Sequence, residues 1–413
     1  MTLTSHAPAP SANHALQDHR MTALERRASL SLASVFALRM LGLFVVLPVF
    51  ALEAMRYTGG LDAAKVGFAM GVYGLTQAFL QIPFGIASDK FGRKPVMLAG
   101  LAIFAAGSAV AAMATSLDGL LVGRAVQGAG AISAAVTALL ADLTRPQVRT
   151  KGMALVGISI AAMFTLSLVL APVLAGQFGL GGLFVLTAVL ALVGMAVVVW
   201  WVPPAPEARR HISPLVGLKT VLASRQLWRL NVGVFSLHAI QLAMWLVLPA
   251  LLVQAGLAKA AHWQVYLPAV IASVLMLGGV LFRLERKGYL RGVLLASIAM
   301  LLLVQLGLLA YVGLHITPSV WLLGLLLFGF FLGFNALEAS QPSLASKFAP
   351  APVRGAALGV FNTCQSLGFF VGGAVGGALL AWGGAGALFT VTSAWLVLWL
   401  CVAWGLQPKL AVH

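Results

Sequence analysis

The sequence predicts an all-helical membrane protein, twelve transmembrane helices in two pseudo-symmetric six-helix halves. Three observations predict it. The chain has 413 residues, of which 61% are hydrophobic and 9% charged, with mean hydropathy +0.99; soluble domains carry about 25% charged residues. Apolar segments of roughly 20 residues recur from end to end, the length needed to cross a bilayer. None alternates like a barrel strand, so the backbone groups must be satisfied inside helices. Third, sequence features echo each other about half a chain apart, as parallel repeats do.

The elements follow in chain order. Residues 1–28 are polar and lack the apolar core of a cleaved signal peptide; they are expected to form a cytoplasmic tail. The first half, 29–202, holds spans near 29–52, 64–88, 94–114, 118–141, 151–175 and 182–202. A polar cytoplasmic linker, 203–228, ends just before Arg229 and includes Arg209, Arg210, Lys219 and Arg225. The second half, 229–406, holds spans near 229–252, 263–284, 291–313, 318–345, 352–380 and 384–406, before a tail at 407–413. The halves echo each other in Phe36-Ala-Leu-Arg39 and Phe235-Ser-Leu-His238, and in Val46-Leu-Pro48 and Val247-Leu-Pro249. A third echo joins Arg149-Thr-Lys-Gly-Met-Ala-Leu to Arg354-Gly-Ala-Ala-Leu.

Net charge is +16, but the cations sit in short loops rather than in a nucleic-acid patch. With both termini cytoplasmic, the opposite face holds only Arg56, Lys65 and Lys259. Arg39 and Arg124 lie inside spans, which leaves 21 of the 26 lysines and arginines on the cytoplasmic side. That asymmetry predicts the orientation. Cys364 and Cys401 fall in apolar segments and read as packing residues. There is no phosphate-binding Gly-x-x-x-x-Gly-Lys-Ser/Thr loop and no His-Glu-x-x-His pair, so no enzyme activity, cofactor or metal is expected.

Between the second and third spans stands Gly85-Ile-Ala-Ser-Asp89-Lys90-Phe-Gly92-Arg93-Lys94. Gly85 lets helix ends approach closely, Asp89 suits a helix N-terminus, and Gly92 permits the turn. Arg93 can pair with a neighbouring carboxylate, for which Asp142 is the candidate. Topology alone explains Lys90, Arg93 and Lys94, but not Asp89, Gly85 and Gly92 at these spacings.

Ionisable groups inside spans are few and costly. Arg39 lies near mid-membrane and needs a partner or a wet cavity. Arg124 is nearer the outer end of its span, one turn from Gln127, and either faces inward or snorkels to the interface. Glu338 is the only acid in the interior of a predicted span, away from its ends, and shares a face with Asn335. It is the first candidate to carry a proton; a static pair, for instance with Arg39 across the halves, is the alternative. His238 is the second protonation candidate. Tyr73, Gln77 and Gln81 fall at spacing four, Asn362 shares a face with Gln365, and Gln241 and Trp245 lie near His238. These polar stripes, with Gln127 and Asn335, are candidate cavity lining or interhelical hydrogen bonds. Gly368, Gly372 and Gly376, with Gly373 and Gly377, read as a tight packing face.

The hairpin Gly85-x-x-x-Asp89-Lys90-x-Gly92-Arg93-Lys94 resembles the loop signature of the major facilitator superfamily. Glu285-Arg286-Lys287-Gly288 resembles its degraded copy in the second half, and Arg124-Ala-Val-Gln127-Gly128-Ala-Gly130-Ala its fourth-span signature. The resemblance covers about residues 25–407. Phe36-Ala-Leu-Arg39-Met-Leu-Gly, Tyr73-Gly-Leu-Thr-Gln77-Ala, Gln81-Ile-Pro-Phe-Gly, Asp142-Leu-Thr-Arg145 and His262-Trp-Gln-Val-Tyr266 are similar to the YajR-type branch of drug/proton antiporter-like transporters. That branch's soluble domain after the last span is not expected here. The fifth span departs from the exporter signature, with Ser167, Ala171-Pro172 and Ala175-Gly176 at its glycine positions.

The resemblance implies a transporter working by alternating access, with gating by Gly85, Asp89, Lys90, Gly92, Arg93, Lys94 and Asp142. Proton coupling then falls to Glu338, Arg39, Arg124 and His238. The expected function is proton-coupled export of small organic or amphipathic compounds across the inner membrane by a monomer. A symporter or facilitator for an organic anion is the alternative, suggested by two intramembrane arginines against one glutamate. The partners are then a small-molecule substrate, protons and the lipid bilayer, with no nucleic acid.

Overall fold

The computed structural model describes residues 20–204, 214–287, 289–314, 319–350 and 353–406. The helices are α1 (Ala23–Phe44), α2 (Leu47–Ala54), α3 (Ala63–Phe91), α4 (Arg93–Ala112), α5 (Leu117–Ala129), α6 (Ser133–Asp142) and α7 (Pro146–Trp200) in the first half. α8 (Pro214–Ala223) follows. The second half holds α9 (Arg225–Gln254), a 3-10 turn at Lys259–Ala261, α10 (Trp263–Arg286), α11 (Leu290–Gly313), α12 (Val320–Phe348) and α13 (Arg354–Trp404). Among the described residues, nine segments are long and apolar enough to cross a membrane.

Local chemistry explains where the helices begin and break. Thr22 Oγ1 accepts from the Glu25 N–H at 3.2 Å and a Glu25 carboxylate oxygen accepts from the Thr22 N–H at 2.8 Å. This capping box starts α1 at Ala23, inside the expected tail. α8 likewise lies inside the segment expected to be a polar linker. α7 spans 55 residues, which unbroken would reach about 80 Å, more than twice the hydrocarbon thickness. It breaks at Gly179, where φ is 63° and ψ −170°. α13 breaks likewise at Gly383 and Gly384, the latter with φ 67°. Glycine tolerates such angles because it has no Cβ.

Each half packs as a bundle, α1 against α7 and α9 against α13 most extensively. The halves join through α3 against α13, α2 against α9, and α7 against α10 and the 3-10 turn. We call the end carrying Asp89, Arg93 and Asp142 the motif face and the other the far face. The contacts between halves concentrate toward the far face. A Cβ built on Gly67 would lie 2.2 Å from the Gly373 carbonyl oxygen, and one on Gly373 2.4 Å from that of Gly67. Gly368 and Gly372 make equally close approaches to Phe235 and Ala239 of α9. One stretch of α13 thus presents two glycine faces, one to each half.

Toward the motif face the same helix surfaces part. Gly355 lies five turns from Gly373 on the same side of α13, yet a Cβ there would meet nothing within 4 Å. Gly85 lies five turns from Gly67 on α3, and its Cβ would meet only Ala134 at 3.6 Å, an ordinary contact. At Gly85, α3 thus meets α6 of its own half at ordinary contact distance, not a helix of the other half.

Candidate functional site

The charged hairpin is a short ion-pair network. Gly92, with φ 94°, turns the chain directly from α3 into α4. Arg93 opens α4 and meets the Asp89 carboxylate at 2.5 Å and that of Asp142, at the end of α6, at 3.2 Å. It also donates to Ser88 Oγ at 2.7 Å. Lys94 Nζ donates to the Val202 carbonyl at 2.9 Å, and Lys90 lies over the Phe91 ring. Of the degraded copy in the second half, Gly288 and the side chains of Glu285 and Arg286 lie outside the described residues.

The first half buries two arginines in a neutral polar cage. Arg39 donates to Tyr73 Oη at 2.7 Å, Gln77 Oε1 at 3.2 Å and Ser133 Oγ at 3.4 Å. Arg124 donates to Gln127 Oε1 at 2.9 Å and the Met70 carbonyl at 3.4 Å, and its guanidinium lies 4.8 Å from the Tyr73 ring centroid. Gln127 in turn donates to Ser108 Oγ. Both arginines are 1% exposed, so Arg124 does not snorkel to the interface. Arg39 is held within its own half, not across to Glu338.

The second half answers with titratable groups. His238 Nδ1 lies 2.9 Å from the Val234 carbonyl, which only an N–H can satisfy, so Nδ1 carries a proton. Nε2 lies 2.7 Å from Gln365 Nε2 and 3.5 Å from Glu338 Oε2. With Nε2 accepting from the Gln365 amide, a proton near Glu338 must sit on the carboxyl. With Nε2 protonated, it pairs with the carboxylate and the amide turns its oxygen toward the ring. Glu338 is partly exposed and His238 buried, with Phe334 and Phe369 packed on the ring.

The far face holds a group the sequence reading missed. Glu53, on α2, is 1% exposed. It pairs with Arg56 at 3.4 Å and with Lys259 of the 3-10 turn, joining the two halves. Tyr57 lies beside it, its hydroxyl pushed above the usual value by burial and by the Glu53 carboxylate. Glu338 is therefore not the only acid in the apolar interior. Glu53 follows the first apolar run directly, one residue past its expected end, and that position was the available signal. Lys259, read only as a topology charge, is its partner.

The expected cavity residues divide among these clusters. Tyr73 and Gln77 serve Arg39, Gln127 serves Arg124, and Gln365 serves His238. Asn335 instead donates to Ser273 Oγ at 3.0 Å, and Asn362 is half-buried. Gln241 and Trp245 are buried in packing, Trp245 edge-on to Tyr266. Tyr73 and Arg124 border a narrow crevice between the halves, lined also by Leu47, Met70, Leu242 and Phe369.

The chain has relatives among known proteins. The family model for the Major Facilitator Superfamily matches residues 32–373. The chain is 40% identical over 391 residues to the inner membrane transport protein YajR of Escherichia coli (strain K12), covering 94% of this chain and 85% of that one. It is 30% identical over 358 residues to the multidrug resistance protein MdtH of Aeromonas salmonicida (strain A449), covering 82% and 84%. In fold it is similar to the human organic anion transporter MFSD10, with TM-score 0.68 at 20% identity over 92% of this chain and 100% of that one.

Proposed function

The chain belongs to the Major Facilitator Superfamily of secondary transporters, and from that premise we propose that it is a proton-coupled exporter of small organic or amphipathic compounds across the inner membrane. The observation that carries the coupling is the His238–Glu338–Gln365 cluster of the second half, a buried histidine 3.5 Å from a partly exposed carboxyl. A buried ionisable group is costly unless it works, and this one can release its proton toward the open end. Similarity to the multidrug resistance protein MdtH supports export.

Splitting the two longest helices at their glycine breaks and adding α3 to the nine apolar segments gives twelve crossings. An even number returns both termini to one side, and the cation distribution puts that side in the cytoplasm. The motif face is then cytoplasmic and the protein faces inward. Asp89, Arg93 and Asp142 tie the ends of α3, α4 and α6 together as a gate element.

The test is a pH-sensitive dye inside proteoliposomes carrying the purified protein, with organic anions and lipophilic cations added singly outside. One class should trigger proton flux, and Glu338→Gln should lose it. Undiminished flux in that variant refutes the role of Glu338 and moves the proton to His238. A symporter or facilitator for an organic anion is the second reading, favoured by the two arginines that meet no carboxylate among the described residues.

A further inference from the structure

Arg39 and Arg124 are large side chains, both fully interior. Among the described residues neither meets a carboxylate; their hydrogen-bond partners are a phenol, two amides, a serine hydroxyl and a backbone carbonyl. The two cations share Tyr73, one on its hydroxyl and the other on its ring face. In each, Nε has no partner among the described residues. A buried ion carries a desolvation penalty of several kcal/mol that neutral dipoles offset only in part, and two like charges around one tyrosine add to it. The lowest-energy completion of such a cage is an anion.

We propose that this cage receives the anionic end of the substrate, and that the substrate class is amphipathic organic monoanions, carboxylates on an apolar body. The inference rests on the transport reading above and specifies what is carried. Arg124 lines the crevice, and its buried Nε leaves unpaired one edge of a planar fork that matches a carboxylate. Beside it, Leu47, Met70, Leu242 and Phe369 line the crevice between the halves and provide an apolar wall for the body of the ligand. Leu242 and Phe369 come from the second half, so the crevice widens as the halves move apart. The bound anion then sits between fixed cations in one half and the proton-holding His238–Glu338 pair in the other.

The test uses the full-length protein in detergent, titrated with 4-tert-butylbenzoate, its neutral amide, and tetraphenylphosphonium, with the thermal unfolding midpoint as readout. The carboxylate should raise the midpoint and bind at least about tenfold more tightly than the amide, whose shape is the same but whose charge is gone. Arg124→Gln and Arg39→Gln should lose that preference, and Arg124→Lys, which keeps charge but not the fork, should fall between. Equal binding of carboxylate and amide, or preference for the cation, overturns the proposal, as does an unchanged preference in both glutamine variants. The carboxylate–amide comparison is made on the unmodified protein, so it decides even if an arginine variant fails to fold. Carboxylate binding without proton flux in liposomes refutes the coupling and leaves this site standing. Proton flux without carboxylate preference does the reverse.

Discussion

The two ends of the α3–α13 pair differ in a way that explains the conformation. At the far face Gly67 and Gly373 bring the backbones of opposite halves into direct contact. Five turns away on the same helix surfaces, Gly85 and Gly355 face no such neighbour. The far end uses its glycines for contact between the halves, whereas at the motif end Gly85 packs on Ala134 of its own half. Halves that touch at one end only are what a rocking exchange between them requires. The far end is also bridged by charge, Glu53 to Lys259. The Asp89–Arg93–Asp142 network at the motif end stays within the first half. The closed end is thus held between halves, while the open end is stiffened within one.

The strongest way to break the comparison is to weld the closed end. A Cβ on Gly176 would lie 3.5 Å from that of Ala260 across the far face, within disulfide range. In a background with Cys364 and Cys401 replaced by serine, oxidising Gly176→Cys/Ala260→Cys should abolish transport, and reductant should restore it. Full transport by the oxidised, cross-linked protein would mean that the far face never opens.

A second test compares one substitution at two places. Gly373→Ala forces a Cβ into the Gly67 backbone and should destabilise this conformation by about 1–3 kcal/mol, as overpacking does. Gly355→Ala should stay within about 0.5 kcal/mol. Thermal unfolding of the two purified variants checks this, and equal effects would show that the ends are packed alike.

The smallest of these effects is expected at the bridge. Glu53→Gln keeps the shape but leaves Lys259 unpaired, weakening far-face closure by about 1–2 kcal/mol, roughly a tenfold gain in the open population. Slower oxidation of the same cysteine pair in that variant is the readout; an unchanged rate would make the bridge a bystander.

Much of this was legible in the sequence where the determinant is local. Arg93 and Asp142 met as the hairpin chemistry suggested, and the glycines of α13 packed as their spacing predicted. The Thr22–Glu25 capping box, which starts α1 inside the expected tail, was not read from the sequence, because the polar residues around it suggested a tail. The polar stripes were recognised as residues but not as groups. Tyr73 and Gln77 proved to belong to Arg39, whereas Trp245, on an equally promising stripe, is simply buried.

By itself the sequence showed that the chain is an all-helical membrane protein, because a bilayer forces each apolar run to satisfy its own backbone, and its uneven cations carry the expectation of an orientation. It also determined the hairpin, whose glycine, acid and arginine act within a few residues of one another. The tertiary structure alone decided that Glu53 finds Lys259, 206 residues away. It alone decided that the two arginines meet no carboxylate among the described residues while His238 gains one, and that the halves close at the far face. These depend on how two bundles dock, and docking is set by backbone approach and charge pairing between residues that no local pattern connects.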